Sequence, residues 1–280
     1  MGKLVEKLNS VGQSSGGGMG FFGRTRPAAR SARAAAILVS LGATDAAAAE
    51  SAVKSGADAL IVTGWKSGAD LAAIKGAVGG TEAIWGVELS DAAGNDALAS
   101  AQEAGASFAI LGSGAPARLL LEDIEKFDLV VTVDPPKDDL SLLILRGENL
   151  LPAQAAVLRT HFTNSDIASL TVQDFARLRL MFEGLRFPVL ATLREAPAEA
   201  NVRTLARMGS DGLVLPGGDA ARLGKQVQEL REALEKIPIR PEDRASVAIG
   251  GLMEASGTSL PEQPSRRGPT PEPEPEPEHE

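Results

Sequence analysis

The sequence predicts one α/β domain, a (β/α)8 barrel, with a disordered N-terminal arm and a C-terminal Pro/Glu tail. Three observations carry that expectation. First, a phrase recurs: SGAD before ALIVTG, AGAS before FAILGS, and MGSD before GLVLPG. Each closes a helix on a glycine, because the position after a helix often needs positive φ. Each then opens the unbroken apolar run of a parallel strand covered on both faces. Second, Gly56 and Gly105 are 49 residues apart, two units of about 25, and Gly105 and Gly209 are 104 apart, four units of about 26. The phrases therefore mark strands two, four and eight of one series. Third, charge divides the chain. Residues 1–33 carry six Lys and Arg against Glu6 alone, and residues 238–280 carry four arginines against nine acids. The expected boundaries are thus 1–33, 34–237 and 238–280.

The remaining elements follow in order. Strand one is Ala36–Leu41, with an alanine-rich helix over Asp45–Lys54. Strand three, Ala83–Leu89, lies between helices near Ala69–Ala77 and Ala92–Ala104, and strand five is Leu129–Asp134. Strand six is placed in Ala153–Arg159 after a helix over Asp138–Arg146, although Leu142–Leu145 also reads as a strand. An amphipathic helix over Thr171–Leu185 leads to strand seven, Pro188–Leu193. Helices over Ala198–Met208 and Ala220–Lys236 flank strand eight. An open doubly wound sheet is the rival architecture, but it favours a glycine-rich first turn, and here LGATDAA follows strand one.

Composition removes several function classes. The chain has 280 residues, 44% hydrophobic, and no cysteine, which excludes disulfide frameworks, thiolate metal sites and cysteine nucleophiles. With His161 and His279 the only histidines, no histidine-rich metal site is expected, and a Ser-His-Asp triad would have to use His161. No apolar run reaches the roughly 20 residues of a membrane span and no secretory signal is visible, so a cytoplasmic location is expected. A net charge of −9 argues against nucleic acid as partner.

The ends carry their own expectations. Leu4, Val5, Leu8 and Val11 would share one helix face, and Phe21-Phe22 precede a run of arginines. One reading is weak membrane-surface contact through this arm; the other is an arm packed on the body. The tail alternates proline and glutamate from Pro271 to Glu278 and is expected to be extended and solvated. Val247–Met253 is a short apolar stretch expected to dock back on the body.

SGADALIVTG, AGASFAILGS and MGSDGLVLPGGDAARLGK resemble the aldolase-type TIM-barrel superfamily. Its members include class I aldolases, phosphate-binding synthases and flavin-dependent barrel oxidoreductases. The resemblance covers roughly two hundred residues and implies a fold, and a site at the C-terminal strand ends, rather than a reaction.

The candidate site residues are therefore those at the strand ends. Glu88 is in phase with Gly86 and Ile84 and is the leading candidate general acid or base, since a carboxylate ending an apolar strand is costly unless paired or functional. Lys66 shares the alternation of Val62 and Gly64, which would turn it to the barrel axis for carbonyl chemistry. Class I aldolases usually carry their lysine on strand six, where this chain has Arg159. Asp134 ends strand five and is the third catalytic candidate. Arg194, in phase with Thr192, together with Arg159 and His161 in the loop RTHFTNSD, would bind an anion; Glu195 could instead neutralise Arg194. Two glycine stretches could take phosphate, Gly112-Ser113-Gly114 and Gly217-Gly218, although Asp219 also reads as the N-cap of the last helix. No flavin or nicotinamide fingerprint is present, so the cofactor is left unknown and no metal is assigned. Two functions are consistent with this set: a lyase- or isomerase-like enzyme acting on a small anionic or phosphorylated metabolite, or a catalytically degenerate barrel serving as a binding or membrane-peripheral assembly module.

Overall fold

Successive side chains of a strand point to opposite faces, so a sheet closed on itself divides its residues between an axis and a shell. The computed structural model describes residues 2–11, 33–122, 127–135, 147 and 149–238, and Arg159 by its backbone only. The parallel strands are β1 (Ala36–Gly42), β2 (Ala59–Thr63), β3 (Ile84–Leu89), β4 (Phe108–Leu111), β5 (Asp128–Val133), β6 (Ala155–Phe162), β7 (Val189–Leu193) and β8 (Gly212–Pro216). Each pairs with the next, and β8 pairs with β1, closing the barrel. Around it run α2 (Ala46–Lys54), α3 (Ala72–Val78), α4 (Asn95–Ala104), α5 (Asn164–Ala168), α6 (Val172–Gly184), α7 (Glu199–Met208) and α8 (Ala220–Glu235). The rival open sheet is thereby excluded.

The axis is filled by Leu38, Ile61, Phe108, Ile110, Val130, Val157, Leu190 and Val214, while the alternate residues pack beneath the helices. Phe108 is fully buried and takes the space that Gly86 leaves, since a Cβ there would overlap the Phe108 ring and carbonyl. The glycines of the repeated phrase have the expected positive φ: 99° at Gly56, 97° at Gly105 and 96° at Gly209. The polar residue that follows them has a structural task. Asp58 accepts a hydrogen bond from the Ile37 amide on β1 at 2.9 Å, and Asp211 accepts one from Val189 on β7 at 2.9 Å. The phrase thus encodes a join between neighbouring strands as well as a helix stop.

The N-terminal end of the barrel is stoppered. Helix α1 (Lys3–Val11) inserts Leu4 and Leu8 into the axial cluster. The buried Asp128, first residue of β5, accepts from the Leu4 amide at 2.7 Å and from the Val5 amide at 3.4 Å, so it caps α1 from 124 residues away. Beside α1, Arg33 donates to both Asp58 oxygens at 2.7 and 2.9 Å, and its own amide donates to the Val11 carbonyl. Two sequence expectations are refined here. The apolar face offered for membrane contact is spent on the barrel, and Arg33, assigned to the arm, is built into the fold. Residues 12–32, the proposed helix or strand within Asp138–Arg146, and the tail with its Val247–Met253 stretch lie outside the described residues. Among the described residues no helix is long and apolar enough to cross a membrane.

Candidate functional site

At the C-terminal rim the axial positions change from apolar to polar. Ser40, Thr63, Thr132 and Thr192 are half-buried in this layer. The Thr63 hydroxyl donates to the Leu41 carbonyl at 3.1 Å and that of Thr192 to the Leu158 carbonyl at 3.2 Å, so each satisfies its proton on a neighbouring strand and keeps lone pairs for a ligand. Sequence reasoning passed over these hydroxyls; the threonine ending ALIVT and the one inside VLATL were the signal.

Above that layer stands Glu88. Its neighbours Val87 and Leu89 are buried in the shell and Ile84 packs on the axial cluster, which puts Glu88 on the axis side of β3, exposed. Its side chain makes no hydrogen bond or ion pair among the described residues. Its backbone carbonyl accepts from the Trp65 indole at 3.0 Å. That contact ties the loop after β2 to the end of β3.

The phase argument for Lys66 does not hold. Val62 is buried in the shell with the helices, so the axial residues of β2 are Ala59, Ile61 and Thr63. Gly64, at φ 69°, then breaks the strand. Lys66 is exposed, and its amide donates to Asp70 at 3.0 Å. The amides of Lys66 and Ser67 hold the Asp70 carboxyl below the usual aspartate range.

On the far side, β6 extends through Phe162, so His161 is a strand residue rather than part of a loop, in register with Thr192 across an irregularity between Val157 and His161. Phe162 packs in the shell, which leaves His161 on the axis side, exposed. Arg159 lies within that irregular stretch of β6. Arg194, one residue past β7, donates its amide to the Phe162 carbonyl at 2.8 Å and is exposed. It is not neutralised by Glu195, whose carboxylate accepts from the Asn164 amide at 2.9 Å. Asp166 is committed to Thr163, whose hydroxyl and amide, with a smaller contribution from Arg194, lower its pKa. Asp134 lies exposed just beyond β5 in the axial phase of Val130 and Thr132.

The glycine loops are arranged differently from an open phosphate cradle. Asp219 caps α8 as expected, accepting from Ala221 and Arg222 amides at 3.1 and 3.0 Å. Gly217 is required by packing, since a Cβ would come within 2.6 Å of the Ser40 carbonyl oxygen, whereas Gly218 is open. At Gly112-Ser113-Gly114 the Asp91 carboxylate lies against both glycines. Among the described residues no group of three or more His, Asp or Glu is placed to hold a metal. A groove of about 510 Å³ lies away from this rim, between α2 and α3, lined by Ala46, Ala47, Gly76 and Ala77 among others.

Four strands apart in a barrel of eight, β3 and β7 face each other, so Glu88 and Arg194 oppose across the mouth. Glu88 thus stands on one side of the mouth and Arg194 on the other, above the half-buried hydroxyls of Thr63 and Thr192.

No protein-family model and no curated protein matches the sequence. Solved structures do. Tryptophan synthase from M. tuberculosis is 16% identical, covering 84% of this chain and 99% of that one, with a TM-score of 0.58. N-(5'-phosphoribosyl)anthranilate isomerase from Pyrococcus furiosus is 15% identical over 72% of this chain and 100% of that one, with a TM-score of 0.52. For 3-hexulose-6-phosphate synthase the values are 17%, 71%, 99% and 0.50. At these identities the likeness is one of fold, and the fold is the closed eight-stranded parallel (β/α)8 barrel.

Proposed function

We propose that the protein is a cytoplasmic enzyme of lyase or isomerase type acting on a small anionic metabolite, phosphorylated compounds included, at the C-terminal mouth of the barrel. The observation that carries this reading is Glu88: an exposed carboxylate on the axis side, without a partner among the described residues, at the end of a strand otherwise apolar. A carboxylate so placed takes a proton from substrate in one half of a reaction and returns it in the other. Asp134 supplies a second acid-base group, and Arg159, His161 and Arg194 supply positive charge and N–H donors, with Gly217 and Gly218 at the β8 edge. Lys66 is exposed, so it serves to attract or hold a carbonyl or anion; a Schiff base there would first need water excluded. The names of two structural neighbours include phosphorylated sugars, which supports, on analogy of fold alone, a ligand of that class.

A thermal-shift screen of sugar phosphates, flavins and small keto acids tests the reading, because a ligand that binds only the folded chain raises its midpoint. One of the anionic classes is expected to raise it, and Glu88→Gln to abolish that response. An unchanged response in Glu88→Gln removes this residue from the mechanism. A second reading, a barrel kept as a binding module, draws support from the groove between α2 and α3; a panel that leaves the midpoint untouched favours it.

A further inference from the structure

We infer that the anionic end of the substrate is received over β6 and β7, by Arg194 and His161, and that Asp219 closes the N-terminus of α8 to it. This rests on the enzymatic reading above and decides between the two places where that reading could put the anion.

In a barrel of this architecture the N-terminus of the helix after β8 is the expected place for a phosphate, because unsatisfied amides and the helix dipole both favour negative charge there. Here the amides of Ala221 and Arg222 are already taken by Asp219 Oδ1 at 3.1 and 3.0 Å. An incoming anion would have to displace a carboxylate and would meet its charge. Other rim turns also hold a carboxylate on a backbone amide, though there the acid reaches back to an amide before it. Asp45 accepts from the Gly42 amide at 3.1 Å, Asp70 from Lys66 and Ser67 at 3.0 Å, and Asp166 from Thr163 at 2.8 Å. At each of these turns the amide is satisfied by an acid of the chain itself.

Those same bonds leave Arg194 without a bonded acid, although its charge is felt by Asp166. Its acidic neighbours, Glu195 and Asp166, are engaged by the amides of Asn164 and Thr163 at the start of α5. Its guanidinium has no hydrogen-bond partner among the described residues. His161, on the adjacent strand end and the same face, is likewise exposed and unpartnered. A guanidinium and an imidazole N–H on adjacent strand ends suit a carboxylate or phosphoryl oxygen pair. Because β3 lies opposite, an anion anchored there directs the rest of the substrate toward Glu88.

The test is a titration of the full chain with inorganic phosphate, followed by amide 1H–15N spectra at matched ionic strength. Saturable shifts are expected at His161, Phe162 and Arg194 and none at Ala221 or Arg222. Arg194→Ala should weaken binding by about tenfold or more, the scale of a hydrogen bond to a charged group. Asp219→Gly should add a second saturable response at Ala221 and Arg222, and this variant keeps its fold because glycine is a tolerated N-cap. Saturable shifts at Ala221 and Arg222 in the unaltered protein, an Arg194→Ala variant that titrates like it, or no saturation at any residue would each overturn the inference. Failure of the enzymatic reading is seen separately, in the Glu88→Gln response, which this titration does not use.

Discussion

At the N-terminal end of the barrel Arg33 and Asp58, each 4% exposed, meet at 2.7 Å beside α1, whereas at the C-terminal end Glu88 and Arg194 stand exposed on facing strands. The same sheet thus handles charge in two ways. Below, Arg33 and Asp58 are buried against each other and Asp58 and Asp128 are tied to backbone amides, so their desolvation is offset only while those partners are present. Above, Asp70, Asp166, Glu195 and Asp219 are held by loop amides, while Glu88, His161 and Arg194 are exposed with no side-chain hydrogen bond among the described residues. Charge matched in the interior holds a structure; charge unmatched at an open rim is available for a ligand.

The contrast can be broken by mutation, and the largest effect is expected below. Asp58→Ala strands the Arg33 guanidinium in the interior and frees the Ile37 amide, so it should cost about 3–5 kcal/mol in urea unfolding. A loss within the range of a surface substitution would show that the pair is not integral to the fold. Leu4→Ala removes the knob by which α1 enters the axis and should cost about 2–5 kcal/mol. If it costs far less, α1 is an accessory rather than a stopper.

Much of this architecture is legible in the sequence, and the misses have physical causes. Strands buried on both faces read as apolar runs, which is why β1, β4, β5 and β8 are visible in AILVSL, FAILGS, DLVVTV and GLVLPG. The same property hides their orientation. ALIVT is apolar throughout, so alternation within it carries no sign of which face meets the axis, and the phase assigned to Lys66 through Val62 was inverted. β6 fails in the opposite direction: its outer half, RTHF, reaches the polar mouth, loses the apolar signature and reads as loop. The role of α1 rests on Asp128, a partner far along the chain, which no local pattern encodes. Glu88 was legible because one carboxylate interrupts an apolar strand in phase with a glycine. That Arg194 is uncommitted was not, since it depends on where Glu195 and Asp166 turn.

Smaller effects sharpen the comparison. Asp219→Ala should cost about 1 kcal/mol, the ordinary value of an N-cap, and a much larger loss would mean that the β8 loop is structural like the lower end. Asp128 gives a pH signature. Burial pushes its pKa up, against the pull of the Leu4 and Val5 amides. A folded-state pKa above the unfolded value contributes stability that is complete below the unfolded pKa, near 3.9 for an ordinary aspartate, and is lost as pH rises through the folded one. The stability of the protein relative to Asp128→Asn should therefore decline on going from acid toward neutral pH; a rise over that interval contradicts the assignment. Glu88→Gln is the smallest of all: its unfolding midpoint without ligand should not move, since nothing in the described fold leans on that side chain.

The most direct measurement is a crystal structure of the protein with whichever compound of the screen most raises its midpoint. The account predicts density in the barrel mouth, with one end against Arg194 and His161 and the other within hydrogen-bond reach of Glu88. Density in the groove between α2 and α3, with the mouth occupied by water alone, would contradict it.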